Sequence, residues 1–399
     1  MWEQIARNKR NSVLVVTGLG ILLVAIGMAV GMFLTGAEQG ALVGGVVALG
    51  LWMLLWITMR SRGDDIMLAM ANAREIKKAD HPQLFNVVEE MTIASGLPKM
   101  PRVFIVDDPS PNAFAVGRDP QKAAVAVTIG LLRILDRDEL QGVIAHEIGH
   151  VKNRDVALMT TAGIMLGAIV LLAEIGRRAL WWGGGGRVSR DDDGGGAKVI
   201  MMIVALVLML LAPIFAQLIY FALSRKREYL ADASGAMFTR YPEGLASALE
   251  KLGGKAIPQA DQSKVTAPMY IVRPLHKGER RNITSAFSTH PPLEKRVKIL
   301  RTMGKGADFA AYDRAYASTT GRHVMGKRSL TDVTPVAARE PQGGPVEAPR
   351  DRVRQASNAF LAGSGYQAHE CTGCGALLKI PPQLQGGKLA ACPRCSTAI

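Results

Sequence analysis

Two histidines four residues apart enclose a glutamate in His146-Glu147-Ile148-Gly149-His150, a spacing that can do chemistry. On a helix, positions i and i+4 share a face about one turn apart, so both imidazoles can reach one Zn²⁺. Zinc held in this way lowers the pKa of a bound water to about 7. A carboxylate beside it takes the proton and later delivers it to the leaving amine. Glu147 stands where that carboxylate is needed. A catalytic zinc keeps three protein ligands and one open position, so a third donor is required. Glu228 in Arg227-Glu228-Tyr229-Leu230-Ala231-Asp232 is the best candidate. Asp232, one helical turn further, can accept the outer N–H of a ligand histidine and fix its tautomer. An ordinary Glu and Asp pair on a charged helix is the plainer alternative.

A second set of donors lies near the C-terminus. Cys371-Thr372-Gly373-Cys374 and Cys392-Pro393-Arg394-Cys395 are two tight knuckles separated by 17 residues, a zinc-ribbon spacing. Four thiolates close a tetrahedral site, so a zinc there is structural. Two disulfides are the alternative, which a reducing cytoplasm disfavours. The 370 residues upstream hold no cysteine, which excludes a disulfide-stapled secreted fold. Lys388 and Arg394 are too few, and aromatics too scarce, for nucleic acid to be expected as a partner. The ribbon could instead dock a substrate or a regulator.

The elements that must position these groups can also be read. Leu140, Val143, Ile144, Ile148 and Val151 recur at helical spacing around the two histidines, and Asp136 with Glu139 makes a capping box for the helix start. Residues 103–106, 112–116 and 123–128 are short β-prone runs, the last two joined by the turn-like Arg118-Asp119-Pro120-Gln121. They predict a small sheet beside the zinc helix. His290 could donate to the oxyanion of a tetrahedral intermediate, or Thr289-His290-Pro291-Pro292 could simply cap the helix that includes Arg296. Asn153 and Asp155 are expected to fix the end of the zinc helix. His81, His276, His323 and His369 have no ligand spacing.

Composition sets the surroundings. The chain has 399 residues, 48% of them hydrophobic but 6% aromatic, an aliphatic excess that suits lipid-facing helices and excludes disorder as a whole. Residues 11–37, 40–59, 156–173 and 199–223 are apolar runs of spanning length, although a buried helix of a soluble core remains open for the third. Basic residues before the first run, Arg60 and Arg62 after the second, and Arg225 to Arg227 after the fourth place those flanks in the cytoplasm. Gly27 with Gly31, and Gly163 with Gly167, make faces for close helix approach, within the chain or in a dimer. Attraction to anionic lipid headgroups accounts for the net charge of +14 as well as nucleic acid would.

Taken in order, the N-terminal span pair, His146-Glu147-Ile148-Gly149-His150 with Asn153 and Asp155, the second span pair and Arg227 to Asp232 resemble the HtpX family. These are bacterial membrane zinc endopeptidases related to the CAAX prenyl-protein-processing metallopeptidases. Pro111 to Gly117 and Ser288 to Arg296 match as well, and the likeness covers about residues 1–305. It implies a multi-pass α-helical membrane protein with an α+β zincin (gluzincin-like) metallopeptidase domain, to which this chain adds a small C-terminal zinc ribbon. It further implies His146, His150 and Glu228 as zinc ligands, Glu147 as general base, and clearance of unfolded or damaged membrane proteins at the cytoplasmic face of the cell (inner) membrane. By analogy to the family, Asn112, Ala113, Phe114 and Ala115 form a strand edge to which an extended substrate adds by main-chain hydrogen bonds; an interior strand is the other reading.

The expected organisation is a transmembrane hairpin over 1–60, a metallopeptidase domain in two parts at 61–155 and 224–320, and a second hairpin at 156–223 between them. A flexible linker over 321–368 and the ribbon over 369–399 complete the chain, with both termini in the cytoplasm. A non-catalytic membrane adaptor with structural zinc sites, and a nucleic-acid-binding ribbon on a membrane tether, are the rival readings.

Overall fold

The structure is a computed structural model, and it describes residues 2–35, 37–117, 119–156, 169, 173–174, 178, 226–254, 291–326, 330–331, 333–341, 349–385 and 391–397. Two long helices come first, α1 (Trp2–Thr35) and α2 (Glu38–Met70). Glycines make their contact. A Cβ on Gly44 would overlap the Gly27 carbonyl, one on Gly27 would overlap Ala48, and Gly31 faces Gly40 in the same way. Small residues let two backbones approach closely, and this face is used within the chain. Leu42, Val43, Val46 and Val47 point outward.

Among the described residues, Glu38–Thr58 of α2 is the one stretch long and apolar enough to cross a bilayer, and Val16–Met32 of α1 is a shorter apolar helix. The expected multi-pass architecture thus has one such span here. Apart from a few isolated positions, runs 156–173 and 199–223 lie outside the described residues. Substituting Gly44→Leu should force α1 and α2 apart. The expected result is a severalfold loss of the protease-protected N-terminal fragment in membranes, measured by limited proteolysis.

Helix α2 does not stop where its apolar stretch does. At 1.5 Å per residue its 33 residues span about 50 Å, and Met67 and Leu68 near its end pack onto the sheet. The domain boundary expected at 60/61 therefore falls inside one continuous helix, which no proline interrupts.

That sheet has four strands in the order β1-β2-β4-β3, with β1 (Arg74–Glu75), β2 (Arg102–Val106), β3 (Ala113–Val116) and β4 (Ala124–Thr128). β2 and β4 run parallel, while β1 and β3 pair antiparallel with their neighbours. Because side chains alternate along a strand, the sheet has two distinct faces. Phe104, Val106, Phe114, Val116, Ala124 and Ala126 meet the end of α2. Val103, Ile105, Ala113, Ala115, Val125 and Val127 belong to the main core, with α3 (Pro82–Ser95) and α5 (Arg137–Lys152). Both faces are covered, which is why all four residues of β3 are buried.

Between the sheet and α5 lies α4 (Ile129–Ile134), capped by the Thr128 hydroxyl. The capping box opens α5 as its residues imply: Asp136 Oδ1 accepts from Glu139 N at 3.0 Å and Glu139 Oε2 from Asp136 N at 2.9 Å. The Glu139 carboxylate also accepts from Ser247 and Lys251, each at 2.6 Å, which ties α5 to α7 (Pro242–Gly254). Helix α6 runs through residues 226–239, and α8 (Leu293–Thr302) and α9 (Phe309–Thr320) complete the domain.

Of the segment expected as a flexible linker, 321–368, the described residues are ordered against the domain. Composition alone suggested it, rich in Pro, Gly, Arg and Ser without a sustained apolar period. Within it Val324 and Met325 are buried and their N–H groups donate to Asp313. Ala307 N donates to Val336 O and Ala338 N to Lys305 O, a short antiparallel bridge. Helix α10 (Pro349–Gly363) buries Ala356 and Ala359 in the main core against α4 and the β1–β2 edge. A few small apolar residues at the right faces suffice to dock it. The hairpin β5 (Gln367–Glu370) and β6 (Leu377–Ile380) follows.

Candidate active site

Helices α5 and α6 cross closely because glycine faces the partner on each. A Cβ on Gly149 would crowd Ser234 and Ala231, and one on Gly235 would lie 3.2 Å from the His146 backbone nitrogen. That approach sets Glu228 and Asp232 of α6 against the imidazoles of α5. His146 Nδ1 lies 3.0 Å from Asp232 Oδ1, and His150 Nδ1 lies 3.4 Å from Asp155 Oδ2. With a carboxylate facing Nδ1 of each ring, the Nε2 atoms are the ones left to bind a metal. They point at one spot, 3.2 Å apart, with Glu228 Oε2 3.6 Å from one and Oε1 3.5 Å from the other. Donors at about 2.0–2.1 Å from a tetrahedral zinc would be about 3.3 Å apart. The donor set therefore fits zinc.

The surrounding charges agree with that fit. Burial alone would hold His150 down, yet the Asp155 and Glu228 carboxylates raise it to about 10. His146 is raised as well, against its burial, by Asp232 and Glu228. A site that draws protons onto two imidazoles also draws a divalent cation, which displaces them.

Glu147 lies on the same helix, turned toward the sheet. Burial lifts its carboxyl above the ordinary range, a shift opposed by both imidazoles and by a hydrogen bond from the Ala115 backbone in β3. A raised carboxylate next to a cation site suits proton transfer near neutral pH.

Several partners were not marked by sequence pattern. Arg296 of α8 is completely buried; its Nε and Nη2 hold Asp232 bidentately at 2.9 and 2.7 Å, and Nη1 lies 3.1 Å from Glu228. Burial would lower its pKa, but Asp232 and Glu228 drive it further up, so it stays charged. On a helix reading Leu-Glu-Lys-Arg-Val-Lys, nothing distinguishes it from a solvated cation. Asp155 was expected at the helix end, and it also reaches His150 and Arg227. Asn153 sits at the C-cap position of α5, and its side chain donates to Ser234 of α6 at 3.4 Å.

Of the expected substrate residues, Ala113, Phe114 and Ala115 lie in β3, the last strand of the sheet on that side among the described residues. Asn112 is buried just before it, with Oδ1 accepting from Ala113 N at 2.9 Å and its own N donating to Thr128 Oγ1 at 2.8 Å. His290 lies outside the described residues.

The four cysteines come together at the far end of the chain. Cys371 Sγ is 3.5 Å from Cys395 Sγ, and Cys374 Sγ is 3.9 Å from Cys392 Sγ, with all four mutually within 4.8 Å. Bonded sulfurs would be about 2.05 Å apart, whereas thiolates at about 2.3 Å from a tetrahedral zinc would be about 3.8 Å apart. The separations match the metal site.

Sequence comparison adds an independent observation. Residues 78–304 match Peptidase family M48. The "Protease HtpX homolog" of Dictyoglomus thermophilum is 45% identical over 304 residues, covering 76% of this chain and 95% of that protein. The homologue of Limosilactobacillus fermentum is 42% identical over 304 residues, covering 76% and 100%. Among solved structures, Ste24p of S. mikatae aligns at 19% identity with a TM-score of 0.40, covering 63% of this chain and 57% of that one.

Proposed function

The chain belongs to peptidase family M48 and is a zinc metalloprotease of HtpX type, and from that premise we propose how its residues divide the work. His146, His150 and Glu228 hold the catalytic zinc, with Asp232 and Asp155 orienting the two imidazoles. The zinc supplies Lewis acidity toward water and the scissile carbonyl. Glu147 takes the proton of the attacking water and delivers it to the leaving amide nitrogen. No covalent intermediate with the chain is involved. His290 donates to the oxyanion. The β3 edge, whose Ala115 N–H meets Glu147, receives the substrate as an added antiparallel strand, which brings the scissile bond beside the base. Main-chain recognition of this kind tolerates many sequences, as clearance of misfolded membrane proteins requires.

The apolar length of α2 and the HtpX relatives support a membrane protease, with the basic flanks arguing for a cytoplasmic catalytic domain. Four cysteines free of disulfides fit the same compartment. The ribbon takes a second, structural zinc. The convergence of both Nε2 atoms and Glu228 on one spot carries this reading.

Metal content tests it. The wild-type chain should hold two zincs, Glu228→Ala and Cys371→Ser one each, with casein cleavage lost in Glu228→Ala alone. A Glu228→Ala protein that keeps both ions would remove the third-ligand assignment. An adaptor would cleave nothing in any form, even after zinc addition.

A further inference from the structure

Beyond the M48 match, the Arg339 side chain returns to the histidine-bearing helix α5. Arg339 follows the antiparallel bridge at 336–338, and its own N–H donates to Arg240 O at 2.7 Å. Its guanidinium spreads over both ligand-bearing helices. Nη2 donates to Asp138 Oδ1 at 2.8 Å and Gln141 Oε1 at 2.6 Å, both in the first turns of α5. Nε donates to Thr239 O at 3.0 Å, in the last turn of α6, and the group lies 5.0 Å from the Tyr241 ring centroid. A cation is well placed against both an Asp in a helix's first turn and the closing carbonyl of another helix.

We propose that Arg339 is a positioning residue for the peptidase reaction: it pins the base of α5 to the end of α6 and so sets how Glu228 meets His146 and His150. The two helices touch at Gly149 and Gly235, where the near absence of side chains makes a pivot. Gln141 lies about 7.5 Å before His146 along α5, and Thr239 about 16 Å beyond Glu228 along α6. A slight rotation at the pivot therefore displaces Glu228 from the imidazoles. Metal and catalytic constellations need their groups held within about 0.5 Å. Only a planar fork with several N–H groups can serve Asp138, Gln141 and the Thr239 carbonyl together.

The inference rests on the assignment of His146, His150 and Glu228 as ligands. It is tested on the full-length protein in detergent. Arg339→Ala should lower kcat about tenfold with KM within about twofold, since the substrate edge is untouched. Under chelator dialysis that leaves the wild type loaded, it should lose one zinc per chain. Arg339→Lys, which keeps the charge but not the fork, should fall between. If Arg339→Ala does not fold, Asp138→Asn carries the decision by the same two readings. Wild-type kcat and zinc retention in the folded variant, whatever its melting temperature, would overturn the proposal. Glu147→Gln serves as the separate control: if it remains active, the assignment of the site fails, not the role of Arg339.

Discussion

Glu147→Gln is expected to lower peptide hydrolysis by about 10²- to 10⁴-fold, the usual worth of a positioned acid–base group. The substitution keeps the shape of the side chain and its place next to Ala115 but cannot accept a proton. Glu147 is not among the converging donors, so zinc content should not change. The pairing of these two results is what identifies a base: a lost ligand would take the metal with it, and a packing defect would lower the melting temperature. Activity within tenfold of the wild type would transfer the role to another residue. Cleavage of an unfolded membrane protein in detergent, with zinc measured on the same sample, checks it.

Arg296→Met should be the most damaging change to stability near the site. Methionine fills a similar volume but leaves Asp232, fully buried, and Glu228 without the cation they share. Removing one partner of a buried ion pair costs about 3–5 kcal/mol, since the charge left behind loses the counter-charge that offsets its desolvation. For a domain of this size the melting temperature should fall on the order of 10 °C. Asp232→Asn added to Arg296→Met should cost less than the sum of the two, because they share one interaction. A thermal melt within 2 °C (roughly half a kcal/mol) of the wild type would mean that water reaches Asp232 and screens it. Zinc should also be held about 10- to 100-fold less tightly, because Asp232 no longer has a fixed orientation toward His146.

Much of the site was legible from local spacing. The histidines share a helical face whatever surrounds them, Asp136 and Glu139 close a capping box within one turn, and each pair of cysteines forms its knuckle within four residues. The β-prone runs at 103–106, 112–116 and 123–128 became β2, β3 and β4 within a residue or so. Their order was not legible, since nothing in three short runs of Val, Ala and Phe says that β4 lies between β2 and β3. The apparent linker misled for a related reason. Ala356 and Ala359 are too small to give a strong apolar period, and they are buried because α4 and the sheet offer a surface that accepts them.

What the sequence by itself determined is a set of groups: two imidazoles one turn apart with a glutamate between them, four thiols on two knuckles, and a long apolar segment near the N-terminus. Those follow from covalent spacing on a helix or a knuckle, where neighbours in the chain are neighbours in space. Only the tertiary structure decided which charges surround those groups. Arg296 is 150 residues from His146, and Arg339 is 198 residues from Gln141. Whether such an arginine is a solvated surface cation or a buried partner depends on which helices cross, and that is settled by packing across the whole core.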